Sequence, residues 1–176
     1  MERKVPFPQA NSLDCAPRIL ETAGCAPKGA STKEIAAAVG MDPRQGGYYA
    51  NLGDWIKILA PSPAASGFYV PTRAGWRILA APPPERFHLV KVMAVSDPIL
   101  GGAAELVVRG GLNASAAAGL ISKAVAEGRC RSVFGATMTR RIGCLRALAW
   151  SLRDLAVLSA HERLETLIKF ERLVGA

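Results

Sequence analysis

Along most of this chain apolar and polar residues alternate at helical spacing. From Ser12 to Ala23, Leu13, Ala16, Ile19, Leu20 and Ala23 recur at intervals of three and four, which predicts a helix with one buried face. The first ten residues hold Pro6 and Pro8 without any periodicity, and they read as a loose arm. After a break over Gly24 to Gly29, Ser31-Thr32-Lys33-Glu34 forms a capping box. There the hydroxyl serves one orphan amide while Glu34 reaches back to another. Ile35, Ala36 and Val39 are the packed side of that helix, and Gly40 is its stop. Asp42-Pro43-Arg44-Gln45 opens the next helix with a cap, a first-turn proline and a second capping box. Two helices this close in sequence make a helix-turn-helix joint.

In the second helix Tyr48, Leu52, Trp55, Ile56 and Leu59 fall on one stripe, with Gly46, Ala50, Gly53, Asp54 and Lys57 opposite. Small residues on that side would let the helix lie close to another surface. Pro61, Pro63 and Gly67 predict a turn, Phe68-Tyr69-Val70 a strand, and Thr72 the cap of a short helix through Trp76, Ile78 and Leu79. Helix, helix, strand, turn, strand is the ground plan of a winged helix, a scaffold used mostly to hold DNA. Ala81-Pro82-Pro83-Pro84-Glu85 then stops and stiffens the chain. The predicted division is a winged-helix domain with its arm over residues 1–81 and a helical domain over 82–176.

Beyond the prolines the pattern stays helical: Glu85 to Val95, Ile99 to Arg109 after the Asp97-Pro98 cap, and Ser115 to Glu127 ended by Gly128. A long helix from Thr139 to Leu158 carries the stripe Ile142, Leu145, Ala149, Leu152 and Ala156, widened by Leu148 and Leu155. Ser159 and Glu162 form a third capping box, opening a final helix with Leu164, Leu167, Ile168 and Val174 on one side. That helix is expected to pair with a second copy, giving a homodimer. Ile35 to Leu59 and Ala116 to Leu158 share an order of short helix, turn and longer helix, so the second half is expected to be helix-turn-helix-like. The fold class is thus mainly α, a winged helix-turn-helix followed by a second helical unit.

The formal charge of +8 comes from 22 Lys and Arg against 14 Asp and Glu. Residues 1–81 hold 9 basic and 6 acidic residues and residues 82–176 hold 13 and 8, or +3 and +5, so any phosphate contact is expected to draw on both halves. Cys15, Cys25, Cys130 and Cys144 lack paired spacing and lie far in sequence from His88 and His161, which argues against structural zinc. No cofactor is expected. No apolar run reaches the length of a membrane span and the start lacks the apolar core of a signal peptide, so a cytoplasmic protein with reduced thiols is expected.

The string Thr32-x-Glu34-Ile35-Ala36, Asp42-x-Arg44-Gln45-x-x-Tyr48-Tyr49-x-Asn51 and Tyr69-x-x-Thr72-x-x-Gly75 resembles the winged-helix domain attached to bacterial restriction endonucleases and related defence proteins. Thr139-Arg140-Arg141 with Leu148, Trp150 and Leu152 is similar to a second block that accompanies it. The resemblance implies double-stranded DNA recognition in the service of restriction or defence, with cleavage done by a separate domain and a nuclease or methyltransferase as the expected partner. Gly53-Asp54-Trp55-Ile56-Lys57 and Pro71 depart from the pattern.

Arg44 and Gln45 are candidates for base edges, where Arg matches guanine and Gln adenine; the alternative is a cap and internal brace. The stripe assigns Tyr48 to the core and leaves Tyr49 and Asn51, which flank it, as contacts to phosphate or base. Lys57 and Arg73 suit phosphate. Arg140 and Arg141 are candidate DNA contacts if a groove wraps around the start of the long helix; otherwise Arg140, Arg141, Arg146 and Arg153, which do not share a face, favour a solvated helix. Trp150 is assigned to a second core layer, with a protein contact as the alternative. Asp97 and Glu105 supply two acids for a magnesium-dependent nuclease, but Val107 stands where its lysine would be, and Asp97-Pro98 is explained as a helix start. The expected function is non-catalytic DNA recognition or regulation; a dimeric transcription regulator and an adapter docked on a partner enzyme are the alternatives.

Overall fold

The computed structural model describes residues 5–158 together with Glu162, Glu165 and Ile168. The predicted final helix and its dimer face therefore lie outside the described residues, those three positions apart.

α1 spans Ala16–Gly24 and buries Ala16, Ile19, Leu20 and Ala23. It starts later than the periodicity suggests because Ser12 and Asp14 close a turn ahead of it, the Asp14 amide donating to Ser12 Oγ at 3.0 Å, and Pro17 suits a first turn. β1, Ala30–Ser31, follows, then α2, Thr32–Ala38. The Ser31–Glu34 capping box forms reciprocally, as its spelling predicts. At α3, Pro43–Trp55, the cap differs: Asp42 accepts from the Arg44 amide at 2.9 Å, and no reciprocal bond from Gln45 is formed.

β2, Leu59–Pro61, and β3, Phe68–Pro71, make an antiparallel hairpin, and β1 adds to the free side of β3, giving the order β1-β3-β2. Ala30 stands opposite Tyr69, and Ala60 opposite Val70. Two residues are too few to show a period of two, so β1 is invisible in the sequence and exists by pairing. α4, Arg73–Ala80, is capped by Thr72, whose hydroxyl accepts from the Gly75 amide at 3.1 Å and donates to the Lys57 carbonyl at 2.6 Å. Gly75 is required there, since a Cβ would sit 2.2 Å from the Ile58 carbonyl oxygen.

The second half is α5, Pro83–Val95; α6, Pro98–Val108; α7, Ala114–Ala126; and α8, Gly135–Ala156. α6 packs chiefly along α8, with α5 and α7 against both. On α8 the buried positions are Arg141, Cys144, Leu145, Leu148, Ala149, Leu152 and Leu155. Spacings of four and three from Arg141 through Leu145, Leu148, Leu152 and Leu155 mark a seam turned slightly from the predicted stripe, which leaves Ile142 and Ala156 half-buried. α5 also meets α1 and α4, and the buried apolar residues form one cluster running from Val5 to Leu155 across the proline break.

The arm is the clearest correction. Val5, Phe7 and Ala10 are buried, and the Phe7 ring lies 5.1 Å from that of Trp55. Cys144 Sγ donates to the Gln9 carbonyl at 2.9 Å, tying the arm to α8. Pro6 and Pro8 reduce the entropy lost on ordering the segment, and without helical periodicity its burial leaves little sequence signal.

Four helices stop in one way. After α2, α6 and α7 the chain turns through Gly40, Gly110 and Gly128 at φ of 69°, 69° and 71°, and the next amide returns to a carbonyl five residues back. α3 ends in the same motif, with the Ile58 amide donating to the Gly53 carbonyl at 2.9 Å, but the turning residue is Lys57 at φ 63°. It is the one non-glycine residue with positive φ among the described residues.

Candidate nucleic-acid interface

α3 is placed by the small residues on its inner side. A Cβ on Gly46 would stand 1.8 Å from the Thr32 carbonyl oxygen, so α2 and α3 cross backbone to backbone. A Cβ on Gly53 would stand 2.6 Å from the Leu59 side chain, and Ala50 and Asp54 are buried too. The small-residue side is therefore an internal packing face, as its composition allows. What remains outward is a different stripe: Arg44 and Gln45 are exposed in the first turn, and Tyr48 and Asn51 are half-buried along the same side at spacings of four and three.

This reverses the assignment of the two tyrosines. Tyr49 is buried, its hydroxyl donating to Asn11 Oδ1 at 3.2 Å, and burial pushes its phenol up to about 12. Its burial removes it from the surface where a DNA contact was expected, and the outward side carries Tyr48 instead. Neighbouring residues on a helix point about 100° apart, so a stripe misplaced by one position exchanges them. Asn51 keeps one edge on β3, accepting from the Tyr69 hydroxyl at 3.5 Å, which couples α3 to the hairpin.

Lys57 and Arg73 are both exposed and lie on the two strands of chain that Thr72 joins. They belong to the opposite end of α3 from Arg44 and Gln45, about 17 Å along the axis at helical rise. Lys57 is not on the outer side of α3, as the helical wheel places it, but beyond its last turn. Arg140 is exposed, whereas Arg141 is buried as the first member of the α8 seam. Burial lowers the Arg141 pKa, with the nearby Cys130 and Cys144 opposing it, and among the described residues its Nε and Nη1 have no hydrogen-bond partner. Arg141 is therefore also withdrawn as a phosphate contact. Trp150 is half-exposed on the outer side of α8, with the Arg153 guanidinium 5.2 Å above its ring, so it does not form a second core layer.

The loop between β2 and β3, Ser62-Pro63-Ala64-Ala65-Ser66-Gly67, carries no charge. Positive charge near the helix-turn-helix comes instead from Arg44, from Lys33 in the first turn of α2, and from Lys28, whose ammonium lies 4.8 Å over the Phe68 ring. Lys28 and Lys33 flank the Ser31 cap in sequence, and that position is the signal by which they could have been found. Among the described residues no three His, Cys, Asp or Glu side chains are grouped to hold a metal, and no helix is long and apolar enough to cross a membrane.

No protein-family model matches the chain, and neither a curated protein nor a solved structure matches it.

Proposed function

We propose that this protein binds double-stranded DNA through α3, as a non-catalytic recognition or regulatory component of a restriction or other defence system. The observation that carries the reading is the outward stripe of Arg44, Gln45, Tyr48 and Asn51 on the second helix of a helix-turn-helix backed by a hairpin. First-turn residues of such a helix are placed for base edges. Arg44 and Gln45 use their backbone amides at the cap, and among the described residues guanidinium and carboxamide stay available.

With an uncharged hairpin loop, Arg44, Lys28 and Lys33 supply most of the phosphate neutralisation. Three neutralised phosphates make affinity fall about 40-fold between roughly 50 and 200 mM salt. Titration of labelled duplex at both salt concentrations tests this, with Arg44→Ala as the informative variant. It is expected to weaken binding to a selected site by about tenfold or more, within the range of a lost bidentate base contact. Salt-independent binding, or no binding at the lower salt, refutes the proposal.

A second reading, an adapter docked on a nuclease or methyltransferase, is favoured by Trp150 and Val157. They are 54% and 69% exposed and seven residues apart, Trp150 on the outer side of α8 and Val157 at its C-cap. DNA binding left intact in Trp150→Ala with loss of a co-purifying enzyme would place both roles in one molecule.

A further inference from the structure

Where α3 ends, its last turn meets the α5–α6 corner and the end of α7 around a cleft of about 390 Å³. That volume lies within the range of small-molecule sites. Trp55, Met93 and Pro98 supply its apolar lining, and Lys57 and Arg129 its positive charge.

The lining sets Lys57 and Arg129 against Asp97 and Glu127, and both acids already have partners. Asp97 is fully engaged: Oδ1 accepts the Ile99 and Leu100 amides at 3.0 Å each, and Oδ2 accepts from Arg129 Nη2. Glu127 has Lys123 one turn away at 3.8 Å. Lys57, by contrast, has neither an ion pair nor a side-chain hydrogen bond among the described residues. Two further donors lack acceptors. Trp55 is 3% exposed and its Nε1 has no partner among the described residues; Arg129, whose guanidinium lies 4.5 Å over the Trp55 ring, likewise has an unpartnered Nη1. A buried donor left unpaired costs roughly 1–3 kcal/mol, and both residues line the cleft. Lys57 also holds a left-handed backbone that glycine holds at the three matching helix ends, so its side chain is kept there against a conformational cost.

We propose that this cleft binds a small carboxylate with an apolar body, the carboxylate meeting Lys57 and the Arg129–Trp55 donors and the body lying against Met93 and Pro98. Arg129 can open toward the ligand because its other arm is anchored by Asp97. Since Trp55 and Lys57 close α3, occupancy restrains the end of that helix. This consequence for DNA affinity rests on the DNA reading; the binding site does not.

Phenylacetate and phenylacetamide are the probes, read by the indole N–H signals of Trp55, Trp76 and Trp150 in nitrogen-15 correlation spectra of the full chain. Phenylacetate is expected to shift the Trp55 signal saturably, leaving the exposed Trp76 and Trp150 unmoved. Phenylacetamide is expected to bind about tenfold more weakly or worse, a difference of about 1.4 kcal/mol. Lys57→Gly keeps the backbone turn and removes the ammonium, so it should fold and lose about tenfold in affinity, while Lys57→Arg retains binding. Equal binding of the amide, displacement of the same signal by inorganic phosphate alone, or parallel movement of all three indoles overturns the site. Duplex affinity measured with and without phenylacetate then reads the coupling. A Trp55 shift with no DNA binding at all refutes the DNA reading and leaves the carboxylate site standing; DNA binding with no Trp55 shift does the reverse.

Discussion

Replacing Lys57 by glycine should stabilise the protein. A left-handed L-residue costs roughly 1–2 kcal/mol, and glycine returns about 0.5–1 kcal/mol of that through the greater freedom of its unfolded chain. The Lys57 ammonium forms no ion pair among the described residues, so little is lost with it, and the net gain is about 0.5–1 kcal/mol. In a chain of 176 residues this raises Tm by about 1–4 °C. The matched control is Gly128→Ala, at the end of α7. A Cβ there meets nothing within 4 Å, so the whole effect is backbone conformation, a loss of about 1 kcal/mol. Thermal melts and urea titrations of both variants, with m-values compared, check the pair. A lower Tm for Lys57→Gly refutes the reasoning, because it would mean either that residue 57 is not left-handed or that its side chain already stabilises the empty protein. A neutral Gly128→Ala would show that these helix ends relax and store no cost.

Three further outcomes follow from the packing. Phe7→Ala should cost about 3–5 kcal/mol in urea denaturation, since the ring is buried against Trp55; a loss below about 1 kcal/mol would return the arm to the surface. Gly46→Ala should cost about 3 kcal/mol or more, because a Cβ 1.8 Å from the Thr32 carbonyl forces α2 and α3 apart; an unchanged melt would show that the crossing is looser. Stability should decline at alkaline pH. Burial raises the Cys15 thiol from 9.0 to about 11 and the Tyr49 phenol from 10.0 to about 12. Both groups hold their protons more tightly when folded, so stability is full below pH 9.0 and falls as pH rises through those windows. Tyr49→Phe should flatten the upper part of the decline in melts at stepped pH, and an identical slope in that variant would remove Tyr49 from the account.

Helix starts were legible in the sequence because capping is a local transaction. Ser31 with Glu34, Asp97 and Thr72 each hold their amides within three residues, and all three helices begin where those residues stand. Gly40 and Gly128 were legible stops for a similar reason, since a left-handed turn selects glycine without help from the rest of the fold. The winged-helix order followed from these starts and stops. The candidate site was legible only as far as Arg44, Gln45 and Asn51 on one helix. Which of Tyr48 and Tyr49 faces outward depended on Gly46 and Gly53 allowing α3 to press on α2 and Leu59, a contact between segments that a helical wheel does not contain. In the same way, the turn of α8 against α6 carried Arg141 into the core, and the hairpin created β1 by offering it a partner. The arm became structure because Trp55 and α8 left a surface for Phe7 and Gln9, and Lys57 came to the cleft wall because α3 ends there against the α5–α6 corner. Local free energies set where elements begin and end; which side of each is buried was decided by the surfaces that the other elements brought to it.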